Sequence, residues 1–168
     1  MFRLAAERKE LAAFVKKNER VLVMFGGVGV FAIVIGKAKK AKEIISVELN
    51  RKAHRYAVEN VKRNKVSVMC VQGDVRKKVP LIGKFDRIIM ARPNLEDSFL
   101  DVAFNAIKPR GVIHYYGFYA EENIPQLREL VEHEAKKAGR RIKIVAIKKA
   151  GEIGTRKYRM RTDIRLLD

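Results

Sequence analysis

The feature that most constrains the fold is a regular alternation of short apolar runs with longer amphipathic stretches, broken only near the end of the chain. Leu4 to Lys17 reads as a helix, with Leu4, Leu11, Phe14 and Val15 near helical spacing. Arg20 to Phe25 (RVLVMF) is a strand, and GGVG follows as a turn. Phe31 to Lys40 is a helix and Glu43 to Val47 a second strand. Arg51 to Asn64 is a helix whose apolar face is Ala53, Tyr56, Ala57, Val58 and Val61. Ser67 to Val71 and Phe85 to Met90 are the third and fourth strands. Leu95 to Ile107 is a helix stopped by Pro109 and Gly111. Val112 to Phe118 is the fifth strand, and Glu121 to Ala138 a long amphipathic helix ended by Gly139. Arg141 to Ile147 and Tyr158 to Leu166 close the chain as two strands.

Strands that alternate with helices build parallel βαβ units, with helices on both faces of the sheet. The closing pair departs from that rule. Only the loop KKAGEIGTRK separates its strands, and strands joined so closely are antiparallel neighbours. The expectation is an α/β fold of seven strands, mostly parallel, with the last strand antiparallel. That arrangement differs from the ordinary dinucleotide-binding fold and points to the Rossmann-like class I methyltransferases. No repeat, low-complexity run or linker interrupts the pattern, so residues 1–168 read as a single catalytic domain.

Composition narrows the class of partner. Lys and Arg outnumber Asp and Glu by 37 to 19, a formal charge of +18. Such an excess favours a polyanion through counterion release and steering, and nucleic acid is the expected partner. Thermophile surfaces are also charge-rich, but they mix both signs. No run approaches the roughly 18 to 20 apolar residues of a membrane span. The start, MFRLAAERKE, carries charge where a signal peptide is apolar. A cytoplasmic protein without membrane contact is therefore expected, and it is taken as a monomer. The lone Cys70 cannot form an internal disulfide and reads as a buried structural thiol. No metal site is expected.

Chemistry gathers at successive strand ends. The first strand runs into Phe25-Gly26-Gly27-Val28-Gly29, where glycines let backbone pass close under a ligand. The Lys and Ser or Thr of a phosphate loop are missing, which argues against a nucleoside triphosphate. The second strand ends at Glu48, placed to accept from both hydroxyls of a ribose. The third ends in Gly73-Asp74-Val75, with Asp74 placed to accept from the amine of an adenine. Singly, Glu48 could be a solvated strand-end acid and Asp74 a turn cap. Together they outline an adenosine site. The acid at the end of the third strand and the antiparallel last strand favour S-adenosylmethionine over NAD.

With these motifs in view, the chain resembles the catalytic domain of the archaeal and eukaryotic type tRNA (guanine-37) N1-methyltransferases. The resemblance runs through Glu7-Arg8, MFGGVG, Glu48-Leu49-Asn50, Asp74-Val75-Arg76, Ala91-Arg92-Pro93 and Arg110-Gly111-Val112-Ile113-His114-Tyr115-Tyr116. It covers essentially the whole chain. Glu7-Arg8 and Val112 to Tyr116 are its more specific parts. Two departures stand out. Val23 replaces an Asp before the glycine turn, and Ala91 replaces an Asn thought to hold the target base.

The resemblance implies transfer of a methyl group from S-adenosylmethionine to guanine N1 of tRNA. Guanine N1 carries a proton at neutral pH, so a general base must remove it. The resemblance makes Glu7 that base, set in partial burial beneath the guanine. Arg92 is the candidate for stabilising negative charge on O6. Phe25, Gly26, Gly27, Gly29, Glu48, Leu49, Asp74, Val75, Ala91 and Pro93 are the expected cofactor contacts. Without the resemblance, Glu7 would read as a surface residue of its helix.

The closing hairpin is the expected RNA surface, through Arg156, Lys157, Tyr158, Arg159 and Arg161, with Arg8 added from the first helix. Alternation puts Arg159 and Arg161 on one face and Met160 and Thr162 on the other. A charged edge that resists aggregation would look the same in sequence. His114 reads as a hydrogen-bonded core residue, and only one of Tyr115 and Tyr116 can face the cofactor side. Two further readings stay open. One is an aminocarboxypropyl transferase of the wybutosine pathway, which uses the same cofactor. The other is a non-catalytic RNA-binding domain with a degenerate pocket.

Overall fold

A computed structural model describes residues 2–92 and 96–168. Its strands are β1 (Arg20–Met24), β2 (Glu43–Glu48), β3 (Met69–Gln72), β4 (Phe85–Met90), β5 (Ile107–Ala120), β6 (Ile142–Gly154) and β7 (Lys157–Leu166). They form one sheet in the order β3-β2-β1-β4-β5-β7-β6. The first five pair in parallel, and β7 is antiparallel to both β5 and β6. The seven-stranded, mostly parallel sheet with an antiparallel last strand is therefore as expected. Strand order reverses between β1 and β4, which opens a crevice at their C-terminal ends.

The helices are α1 (Phe2–Phe14), α2 (Val30–Lys37), α3 (Arg51–Arg63), the single turn α4 (Val75–Lys78), α5 (Leu100–Ala106) and α6 (Ile124–Lys137). Alternation along β1 feeds two cores. Val21 and Val23 pack with Leu11, Val15, Ala32 and Ile35 of α1 and α2. Leu22 and Met24 pack with Phe104 of α5 and Leu127 of α6. All these side chains are buried; each of the larger ones contributes about 1.5–3 kcal/mol through removal from water, and the single methyl of Ala32 about 0.8 kcal/mol. Among the described residues no helix is long and apolar enough to cross a membrane.

The structure corrects several boundaries. The helix expected from Leu95 starts at Leu100 and ends at Ala106; Leu95 itself lies outside the described residues. Pro109 and Gly111 do not end a helix but sit inside β5. There β4 and β5 shift register, Phe85 pairing with Ile107 and Arg87 with Val112. A proline costs no ladder bond inside such a bulge. The supposed loop between the last strands is mostly β6, which continues to Gly154. Register shifts at Lys149/Gly151 and Glu152/Gly154 absorb the glycines that made it look like a loop. The first helix ends at Phe14, short of Lys17. Turn α4 is too short to have shown a period. Cys70 is only half-buried, because β3 is an edge strand; what burial it has pushes the thiol pKa up.

Candidate active site

The glycine turn is built for close approach. A Cβ on Gly26 would lie 2.0 Å from Ser46 Oγ, so no side chain fits as the backbone stands. Gly27 and Gly29 have φ of +57° and +91°, a region that disfavours other residues. Gly29 is also the N-cap of α2. Phe25 has φ 58°, uncommon for a bulky residue and a mark of a constrained site.

A cleft of about 560 Å³ opens beside this turn, within the usual range for small-molecule sites. Phe25, Gly27, Glu48, Leu49, Asp74, Val75, Ala91 and Arg92 line it. Gly26 and Gly29 shape the turn without lining the cleft, and Pro93 lies outside the described residues. Glu48 Oε2 accepts from the Gly27 N–H at 2.8 Å, and Oε1 from the Asn50 N–H at 2.7 Å. Each oxygen keeps a second lone pair, so the carboxylate is oriented and still able to bind a vicinal diol. Asp74 caps α4, accepting from the Arg76 N–H at 2.8 Å, and also lines the cleft. An acid pair with apolar walls suits a nucleoside. Val23 is fully buried in the opposite core and does not line the cleft.

Sequence reasoning missed part of the wall. Phe99 also lines the cleft, edge-on to Phe25 with centroids 5.1 Å apart. Arg76 lies over the Phe99 ring at 4.7 Å and pairs with Asp97 and Asp101. Those hydrogen bonds, to Asp101 first, hold its guanidinium pKa above its usual value. Arg76 belongs to the Asp74-Val75-Arg76 motif, but its partners Asp97 and Asp101 lie just before α5 and in its first turn, within a stretch that reads in sequence as one continuous helix from Leu95. Arg92 is buried, donating to Tyr115 Oη at 3.1 Å and to the Asp97 carbonyl at 2.6 Å.

Glu7 is not a surface residue; it is 5 % exposed. Its Oε1 accepts from Tyr116 Oη at 2.8 Å and from Arg161. Arg161 also reaches Glu10 at 2.7 Å and Asp163 at 2.9 Å. Burial works against its charge, but the hydrogen bond to Glu10 and the charges of Asp163 and Glu7 outweigh it and raise the pKa. Hydrogen bonds from Lys148 and Arg161 hold Glu10 below the usual carboxylate range. Beyond Asp163 the chain of contacts continues to His114 Nδ1 at 2.6 Å, from His114 Nε2 to Arg87 at 2.7 Å, and from Arg87 to Glu19 at 2.8 Å. Arg87 can only donate, so Nε2 accepts and Nδ1 carries the hydrogen toward Asp163. Burial lowers the His114 pKa despite Asp163, consistent with that neutral ring. His114 is thus the expected core histidine. Tyr115 lies on the Arg92 side and Tyr116 on the Glu7 side, and burial raises both phenols.

The hairpin divides. Arg156 and Lys157 are exposed at its tip, at the same sheet edge as the cleft. Tyr158 is half-buried under Lys149 Nζ, 3.8 Å from the ring centroid. Arg159 lines the nucleoside cleft, 5.0 Å over Phe118, and feels the charges of Glu7 and Arg8. Arg8 is half-exposed. Arg161 corrects the expectation of an RNA contact: it is 2 % exposed and ion-paired in the interior. Among the described residues no group of three His, Cys, Asp or Glu could hold a metal ion.

The comparisons with known proteins agree with this geometry. A family profile described as the TRM5/TYW2 methyltransferase domain matches residues 1–145. The chain is similar to tRNA (guanine(37)-N(1))-methyltransferase Trm5b of Pyrococcus abyssi, 36% identical over 170 residues, covering 98% of this chain and 49% of the relative. It is also similar to a tRNA(Phe) (4-demethylwyosine(37)-C(7)) aminocarboxypropyltransferase of Methanocaldococcus jannaschii. That match is 40% identical over 117 residues and covers 69% of this chain and 47% of the relative. The crystal structure of wild-type Trm5b from Pyrococcus abyssi matches with TM-score 0.88 and 35% identity, over 98% of this chain and 49% of that one. The structure of M. jannaschii TYW2 in complex with AdoMet matches with TM-score 0.86 and 31% identity, over 98% and 75%. The chain spans about half the length of the curated relatives it matches.

Proposed function

The chain belongs to the TRM5/TYW2 methyltransferase domain family, and on that premise we propose that it transfers a methyl group from S-adenosylmethionine to N1 of guanine 37 in tRNA. The observation that carries the reading is the convergence of the glycine turn, Glu48 and Asp74 on one cleft at the C-terminal edge of the sheet. We take residues 1–168 as one catalytic domain, acting as a monomer in the cytoplasm.

The bound cofactor supplies an activated methyl group on a sulfonium sulfur. Glu48 would accept hydrogen bonds from the ribose hydroxyls, and Asp74 from the adenine amine. Phe25, Leu49, Val75 and Phe99 of the cleft wall would flank the rings and exclude water. Glu7 takes the proton from guanine N1. Arg92, its guanidinium fixed by Tyr115 and Asp97, favours negative charge on O6. Arg8, Arg156, Lys157, Tyr158 and Arg159 meet the RNA, with Arg159 at the boundary between RNA and cofactor. Arg161 has no part in that contact.

A second reading, transfer of the aminocarboxypropyl group of the same cofactor, is favoured by Ala91 in the cleft wall and by the likeness to the M. jannaschii aminocarboxypropyltransferase. One assay separates the two. The purified chain is titrated calorimetrically with S-adenosylmethionine, then incubated with it and unmodified tRNA. Digested nucleosides are weighed by mass spectrometry. One-to-one binding and 1-methylguanosine are expected. An aminocarboxypropyl adduct, seen only with a wyosine-type precursor tRNA, would replace the first reading with the second. No binding at millimolar cofactor would remove both.

A further inference from the structure

The contacts of Glu7 are lopsided, and the asymmetry selects one oxygen. Oε1 accepts from Tyr116 Oη at 2.8 Å and from Arg161. Oε2 has Lys148 Nζ at 3.6 Å, too far for a good hydrogen bond. Glu7 lines a second cleft of about 440 Å³, together with Glu10, Lys148, Lys149 and Tyr158. The carboxylate is thus held by one oxygen with lone pairs left on the other.

The charge count of the network points the same way. Glu7, Glu10, Asp163 and Glu19 are four carboxylates, set against the three cations Arg161, Arg87 and Lys148, with His114 neutral. The cluster carries one net negative charge in a largely buried setting, so a single added proton neutralises it. The groups facing Glu7 are Tyr116 from β5, Arg161 from β7, Lys148 from β6 and Glu10 from its own helix; Arg159 and Arg8 lie farther out.

We propose that Tyr116 and Arg161 are positioning residues that hold Glu7 by Oε1, so that Oε2 is the atom that takes the proton from guanine N1. The proposal rests on the methyl-transfer reading above. In the step, the N1–H proton passes to Glu7 Oε2. The N1 electron pair forms the bond to the methyl carbon, and the sulfur keeps the pair of the broken C–S bond. Tyr116 and Arg161 touch none of the reacting atoms. They act by fixing the carboxylate, where a displacement of about 1 Å is costly to rate.

The test is a kinetic double-mutant cycle on the full chain, with Glu7→Gln, Tyr116→Phe and the pair. Tyr116→Phe removes one hydrogen bond to a charged group and should lower kcat about tenfold or more. KM for tRNA and Kd for S-adenosylmethionine should stay within about twofold of wild type. Because the loss acts through Glu7, the double variant should be no slower than Glu7→Gln alone. Arg161→Lys should repeat the pattern; should it fail to fold, Tyr116→Phe decides. Losses that multiply, a loss in KM instead of kcat, or no loss would overturn the proposal. A wild-type chain that transfers no methyl group would sink the functional reading separately. Positioning is then read from carbon-13 NMR of glutamate side-chain carboxyls, the Glu7 signal being the one absent in Glu7→Gln. That signal should move in Tyr116→Phe, and an unmoved signal would overturn the proposal.

Discussion

Removing the Glu48 carboxylate should cost the cleft most of its affinity, and the geometry sets the size of the loss. One lone pair on each oxygen is already used by the Gly27 and Asn50 N–H groups. The other two are available to a vicinal diol. A hydrogen bond to a charged acceptor is worth about 1.5–3 kcal/mol, so Glu48→Ala forfeits about 3–6 kcal/mol of binding. At about 1.4 kcal/mol per tenfold, Kd for S-adenosylhomocysteine should rise at least about 100-fold. Glu48→Gln should lose nearly as much. Its amide nitrogen must face one of the two backbone N–H groups, donor against donor, and the turn has to shift. Folding should suffer little, because Glu48 is only half-buried and water can reach the freed N–H groups. Isothermal calorimetry reads the affinity, and urea midpoints check the fold. An Ala variant that binds within about threefold of wild type would refute the assignment of this cleft.

Three further outcomes follow from particular contacts. Gly26→Ala puts a Cβ on Ser46 Oγ and should lose about 1–3 kcal/mol of stability; adding Ser46→Ala should restore part, and equal losses in both backgrounds would clear the clash of blame. Replacing Arg156, Lys157 and Arg159 together by Gln should lower the slope of log K for RNA against log salt by about two, at about 0.7 per phosphate contact on single-stranded RNA. An unchanged slope would move the RNA surface elsewhere. Burial lowers the His114 pKa, so below about pH 6.5 the unfolded chain binds a proton that the folded chain refuses. His114 should therefore make stability fall as pH drops from about 6.5, whereas Asp163, whose pKa is also lowered in the fold, adds its own loss only below about pH 4. His114→Asn should flatten the upper part of that fall in urea titrations, and an unaltered slope would count against this account.

What could be read from the sequence was set by short-range rules. Strand ends are fixed by local spacing, so the glycine turn, Glu48 and Asp74 were placed correctly on one edge, as was the antiparallel end of the sheet. What escaped depends on distant partners. Arginine is almost always exposed unless paired, so Arg161 looked like an RNA contact. Its partner Glu7 lies 154 residues away, and nothing local announces the pair. Glu7 looked like surface on its own helix for the same reason. Phe99 reads in sequence as part of a helix from Leu95, but its left-handed backbone caps α5 instead and turns the ring to the cleft. Pro109 was read by its usual meaning as a stop, and only the pairing of β4 with β5 shows the bulge that tolerates it.

The antiparallel last strand, a marker of the fold, also explains why charge is buried beside it. Its register sets Arg161 opposite Tyr116 and Asp163 opposite His114. Side chains two apart share a face, so both charges turn toward α1, while Met160 and Ile164 turn into the core under α5 and α6. A slip of one residue would drive the charges into that apolar core and bring the apolar residues to Glu7. The network therefore opposes misregister. Stability alone does not account for it, because apolar replacements of buried ion pairs are often neutral or stabilising. An apolar replacement of Arg161 would, however, leave the Glu7 carboxylate with Tyr116 alone on Oε1 and only the more distant Lys148 as counter-charge. If Glu7 is the base proposed above, it needs a counter-charge that leaves its other oxygen open, and Arg161, fixed from behind by Asp163 and bound to Oε1, meets that need.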